Sequence, residues 1–185
     1  MQLFGKENLS AEDLRRRVAD WIDQEHKKAE QQGVQEQGPD CENPGILDHL
    51  HASMESYQVV RVRDLKGELE SLQVQETMGE SVSDIQATRE TIDAELSSLN
   101  ELTREGYVAL CRQDKFHGGP VEIYAISQLF NVNIEIERLY VTYAGGRVVS
   151  SRRIRGFDRS YGSGFDTTIT LVNVGGDHYD ADLPV

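Results

Sequence analysis

Cysteine is scarce in this chain: Cys41 and Cys111 are the only two in 185 residues. Their wide separation excludes a disulfide framework and any zinc site of the Cys-x-x-Cys kind. That usage is the pattern of a reducing compartment, so cytoplasm or nucleus is the expected location. Long apolar runs are also lacking, and nothing approaches the roughly 18 residues that a membrane span requires. No membrane partner is therefore expected. The opening Met1-Gln2-Leu3-Phe4-Gly5-Lys6-Glu7 has no basic stretch followed by an apolar one, so it does not read as a signal peptide. Basic residues are the third shortage. Lys and Arg total 19 against 32 Asp and Glu, for a net charge of −13. Phosphate binding needs clustered Lys and Arg, so no nucleic-acid partner is expected. The same field favours a basic partner. What remains is 38% hydrophobic and 28% charged, enough for one core with a well-solvated surface or a long segment outside it. The length suits a single domain.

The pattern along the chain puts helices first and strands last. Ser10 suits a helix N-cap, with Glu12 and Asp13 in the acidic first turn. Leu14, Val18, Trp21 and Ile22 recur at helical spacing, so a helix with one buried stripe is predicted to about Gln32, Trp21 substantially buried in it. A polar loop from Gly33 to Asn43 is closed by Pro44. A short helix carrying Ile46, Leu47, Leu50 and Met54 follows. Residues 57–90 are the least legible: Tyr57–Val62 reads as extended, Leu65–Leu72 as helical, and Thr77–Asp84 as a polar break. Ile92, Leu96, Leu99 and Leu102 restore a helical stripe, predicted to continue to about Cys111. Pro120 suits a first helical position, and Val121, Ala125, Ile126, Leu129 and Phe130 make that helix's apolar face. Val132, Ile134 and Ile136 alternate with Asn133, Glu135 and Glu137, as in a half-buried strand. Leu139–Tyr143 and Val148–Val149 flank Gly145-Gly146 as a hairpin. A last long strand is predicted over Thr167–Val174. The fold class is α+β.

Chemistry concentrates at the end of the chain. His178 and Asp180 lie two apart in an extended segment, so they share a face. A carboxylate so placed can accept the Nδ1–H of the imidazole, fix its tautomer and stabilise the imidazolium. Taken alone, a His-x-Asp of this kind is more often a surface pair. Other candidates carry less. His49 and His51 face different ways on a helix and suggest no metal site. His26, among Glu25, Lys27 and Lys28, reads as solvated, and His117 as a turn residue. Cys111 reads as a small core residue. Cys41, beside Asp40 in a polar loop near a helix start, is the one cysteine in the chain with a case as nucleophile. No cofactor is expected.

Taken in order, these pieces resemble the OTU (ovarian tumour) family of cysteine deubiquitinases. Gln2-Leu3-Phe4-Gly5 resembles the end of the family's nucleophile helix, and Leu14-Arg15 its second helix. His117-Gly118-Gly119 with Glu122-Ile123 and Ala125-Ile126 resembles the Gly-Gly helix, Asn131–Ile136 the strand after it, and His178-Tyr179-Asp180 the catalytic histidine with its acidic partner. Residues 1–32 and about 92–183 are covered. The resemblance implies an OTU-like cysteine protease fold, helices around a small central sheet, with residues 33–91 a polar, mostly helical insertion in a single domain over 1–185. It implies ubiquitin or a ubiquitin-like protein as partner, His178 as general base and Asp180 as its orienting acid. The family's Asp-Gly-x-Cys loop would precede Gln2, so the catalytic Cys is not in the chain, nor are the backbone donors of the oxyanion hole. Three expectations follow: a truncated, inactive form of an active isopeptidase, a short non-catalytic ubiquitin-binding module, or Cys41 as a relocated nucleophile.

Overall fold

The computed structural model describes residues 9–38, 44–79, 81–113, 116, 118–144, 147–154, 160–174 and 178–181. For most of the second half of β1, and for β2 and β4, the course of the backbone is what is described. The protein is α+β, with its chain divided into two compact units, Ser10–Val121 and one holding Glu122–Val185.

The first unit is helical: α1 (Ala11–Gln31), α2 (Ile46–Thr77), α3 (Val82–Asn100) and α4 (Arg104–Cys111). Helix α1 begins where the sequence placed it, with Ser10 Oγ accepting the N–H of Asp13 at 3.0 Å. Its buried side is Val18, Ala19, Ile22, His26 and Ala29; Trp21 is only partly buried. His26 is therefore not on a solvated face. It continues the Val18–Ile22 spacing by one more turn and is fully buried. Its Nδ1 lies 2.9 Å from Ile22 O, which can only accept, so Nδ1 carries the proton.

Two boundaries differ from the pattern reading. Helix α2 runs unbroken for 32 residues, about 48 Å at 1.5 Å per residue, so Tyr57–Val62 is helical. Its β-branched residues are outweighed by packing. Val59 and Val60 point to solvent, while Leu65, Leu69 and Leu72 meet Ile92, Leu96 and Leu99 of α3. Arg61 fixes the pairing by reaching Glu95 through Nε at 2.6 Å and Nη2 at 2.9 Å, the two-pronged geometry that strengthens such a pair. Gln58 Nε2 donates to Leu99 O at 2.6 Å, satisfying a carbonyl near the end of α3. The stripe from Ile92 does not continue to Cys111 as one helix. It breaks after Asn100, and Thr103 starts α4 by accepting the Gly106 N–H at 3.1 Å. Thr103 followed by Glu105 was a cap signal hidden inside an apolar stripe.

Helix α4 lies against α1, where Arg112 pairs with Asp20 at 2.8 Å. Arg104 reaches both Glu30 and Glu36. Tyr57, Tyr107 and Phe116 form a mutual aromatic cluster with ring centres 5.3–6.1 Å apart. Ser53, buried on α2, accepts the N–H of Val121 at 2.8 Å.

The second unit is a sheet with helix α5 (Pro120–Phe130) leading into it. Asn131, at φ 51°, ends the helix and turns the chain into β1 (Val132–Ala144). β2 (Arg147–Ile154), β3 (Thr167–Val174) and β4 (His178–Ala181) complete the order β2-β1-β3-β4. β1 and β2 are the antiparallel hairpin expected around positions 145–146, with Ala144 opposite Arg147. β1 and β3 are parallel, and β3 and β4 antiparallel. The core on one face is Ile123, Val132, Ile134, Ile136 and Tyr161, joined by Phe130, Ile169 and Leu171. Tyr161 pairs with Ile134 through two backbone bonds, at 2.8 and 2.9 Å.

Candidate active site

His178 opens β4 and sits opposite Val174, and Asp180 sits opposite Val172. A connection of three residues, 175–177, therefore turns β3 back on itself. Strand alternation puts positions 178 and 180 on one face of the sheet. Through the parallel register, that face also holds Glu137, opposite Val172, and Leu139, opposite Val174. The side chains of His178 and Asp180 lie outside the described residues, and with them the expected contact between Nδ1 and the carboxylate.

The face is less simple than the alternation in β1 implied. Glu135 is exposed, as expected of the polar side of a half-buried strand, but Glu137 and its neighbour Val172 are both buried. A buried carboxylate thus occupies the row Glu137–Val172–Asp180, two strand spacings, or about 10 Å, from the backbone of Asp180. The sequence reading grouped Glu137 with the solvated residues. Glu137 precedes Arg138, where β1 passes from pairing with β3 to pairing with β2, and no local sequence pattern marks it.

Cys111 is buried in α4, its thiol donating to Tyr107 O at 3.2 Å. Cys41 and His117 lie outside the described residues. The two ends of the loop containing Cys41 are nonetheless held by one group. Asp48, buried in the first turn of α2, accepts the N–H of Gln37 at 2.6 Å and of Gly38 at 3.1 Å on Oδ1. Its Oδ2 accepts the N–H of Gly45 at 2.9 Å. Burial works against the charged form of this carboxyl. The backbone donors of Gly45, Gln37 and Gly38, with His49 nearby, overcome it and hold the carboxyl below the usual range.

Asp48→Ala is expected to lower the stability of the helical unit by about 3 kcal/mol, because three donors lose a charged acceptor together. Denaturant unfolding followed by helical circular dichroism measures this. The acid dependence has a definite sign. The folded pKa lies below the unfolded value of about 3.9, so the stabilisation is complete above that pH and fades as pH falls through the folded pKa. The advantage of the native protein over Asp48→Asn is expected to narrow only in that acidic window. An advantage that persisted unchanged into strong acid would show that the charge of Asp48 is not what holds the loop.

Among the described residues, no three His, Cys, Asp or Glu converge as a metal site, and no helix is long and apolar enough to cross a membrane. No protein-family model, no curated protein and no solved structure matches the chain.

Proposed function

We propose that this chain carries the acid–base part of an OTU-like cysteine isopeptidase acting on ubiquitin or a ubiquitin-like protein. The observation that carries the reading is β4, where His178 and Asp180 occupy same-face positions immediately after a tight return from β3. The order around it agrees with the resemblance: a Gly-Gly segment, then α5, then β1, with the histidine strand last. His178 takes the proton of a cysteine thiol, Asp180 orients the ring, and the thiolate attacks the isopeptide carbonyl. The imidazolium then gives its proton to the leaving lysine amine, and water hydrolyses the acyl-enzyme. The sparse, widely spaced cysteine usage supports a reducing compartment, cytoplasm or nucleus.

The alternative is a non-catalytic module that binds ubiquitin on the same surface. A direct test is to assay the 185-residue chain beside one extended before Met1 by an Asp-Gly-x-Cys segment and its helix, roughly 15–25 residues at 1.5 Å each. The extended chain is expected to hydrolyse a fluorogenic ubiquitin substrate and to be labelled by a ubiquitin probe bearing a thiol-reactive group. The unextended chain is expected to do neither. Ubiquitin binding without turnover in the extended chain supports the binding module. Turnover in the unextended chain that survives Cys41→Ser with Cys111→Ser would rule out any cysteine mechanism.

A further inference from the structure

Strand β1 divides its pairing. Val132–Leu139 pair with β3, and Arg138–Ala144 pair with β2. The two ladders overlap only at Arg138 and Leu139, so among the described residues the hairpin runs on beyond Leu139 as a two-stranded ribbon. Among the described residues, β1 is the one strand that pairs with β2. Among the described residues, the outer edge of β2 therefore leaves backbone N–H and C=O groups for a further strand.

A second observation comes from the sequence of the same ribbon. Residues 138–157 hold five arginines, Arg138, Arg147, Arg152, Arg153 and Arg155, and not one Asp or Glu. The chain as a whole has a net charge of −13, so this stretch reverses the sign of its surroundings. Three of the five arginines lie on β2 itself.

We infer that the β2 edge is a docking site for an acidic, extended polypeptide segment, which joins the sheet as an additional strand. In this mode main-chain hydrogen bonds supply affinity, and the charges on alternate positions supply selectivity. A second copy of this chain fits poorly. Two β2 edges laid together would bring two copies of the same arginine-rich strand, with no acidic residue in either, side by side, and like charges on paired strands repel. A nucleic acid has no backbone complementary to a strand edge, and the overall charge opposes a long polyanion more than a short acidic segment. The inference stands independently of the isopeptidase reading.

Fluorescence anisotropy at low salt with a dye-labelled twelve-residue peptide, Glu alternating with Val and Thr, tests it on the full chain. Saturable binding is expected, weakened at least about tenfold when every second amide of the peptide is N-methylated, since this removes the donors of one edge but no charge. Arg152→Glu with Arg153→Glu is expected to weaken binding about tenfold or more, while Arg152→Lys with Arg153→Lys stays within about threefold. Equal binding of the methylated peptide would overturn strand addition, leaving charge alone. Absence of binding, or tighter binding of an oligothymidine of equal charge, would overturn the proposal outright. The methylated-peptide comparison uses the unaltered protein, so it decides even where the charge-reversed variant fails to fold.

Discussion

His178→Ala, placed in a chain extended with an Asp-Gly-x-Cys segment, is expected to lower kcat/KM on a ubiquitin substrate by about 10³-fold or more. A free cysteine near neutral pH is only a few per cent thiolate, and the residue that raises that fraction also protonates the leaving amine. Both functions vanish together. Asp180→Asn is expected to cost less, about 10²-fold, because the ring survives and only its orientation and tautomer are lost. The acidic limb of the pH–rate profile should move with Asp180→Asn, which a merely structural change in β4 would not bring about. Circular dichroism should be unchanged in both variants, since β3 and β4 pair through their backbones. Glu137→Gln is the informative control. Glu137 shares the face and is buried, but lies two strands across from Asp180. If its loss lowers turnover more than that of Asp180, the carboxylate serving His178 has been misassigned. If His178→Ala leaves turnover within a few-fold, no general base resides on β4.

Much of the architecture was legible because local signals agreed with tertiary ones. Ser10 followed by an acidic turn and a period-four stripe gave the start and inner side of α1. Pro120 gave the first residue of α5, alternation gave the beginning of β1, and the run Thr167–Val174 gave β3. The failures share a cause. Val59, Val60 and Val62 carry an intrinsic preference for strand, yet their positions on α2 are set by what Tyr57, Leu65 and Leu69 bury against α3. The break at Glu101–Thr103 was invisible because Leu102 preserved the apolar period across it. His26 was misjudged from its charged neighbours, although its own spacing from Val18 and Ile22 placed it inside. Glu137 fell to the converse error, alternation assigning polar residues to solvent where this one is covered. The candidate site was legible as a spacing, His178 to Asp180. The register that adds Glu137 to its face depends on a parallel pairing between β1 and β3, more than thirty residues apart, which no local pattern encodes.

Gly162→Ala is expected to destabilise the sheet unit by about 3–5 kcal/mol, a large share of the 5–15 kcal/mol by which a domain is ordinarily stable. Two costs combine at this position. Its φ is +81°, a conformation in which a Cβ meets the following carbonyl at about 1–2 kcal/mol. The added Cβ would also lie 2.1 Å from Ser127 Oγ, 3.0 Å from Val132 O and 3.2 Å from Phe165 Cε2. Ser127 cannot step aside cheaply. It is fully buried on α5, donates to Val132 O at 2.6 Å and lies 3.2 Å from Tyr161 O, at the corner joining α5, β1 and the bridge at Tyr161. Gly164 separates the two costs, since it has the same φ of +81° with nothing within 4 Å of an added Cβ. Gly164→Ala should therefore carry the backbone strain alone, about 1–2 kcal/mol. Ser127→Ala should recover part of the loss in Gly162→Ala by removing the oxygen that clashes, so the double variant should be more stable than the sum of the singles implies. Denaturant unfolding of the four proteins decides the matter. Equal losses for Gly162→Ala and Gly164→Ala, or strict additivity with Ser127→Ala, would mean that the Tyr161–Gly162 turn is not packed against α5 as described.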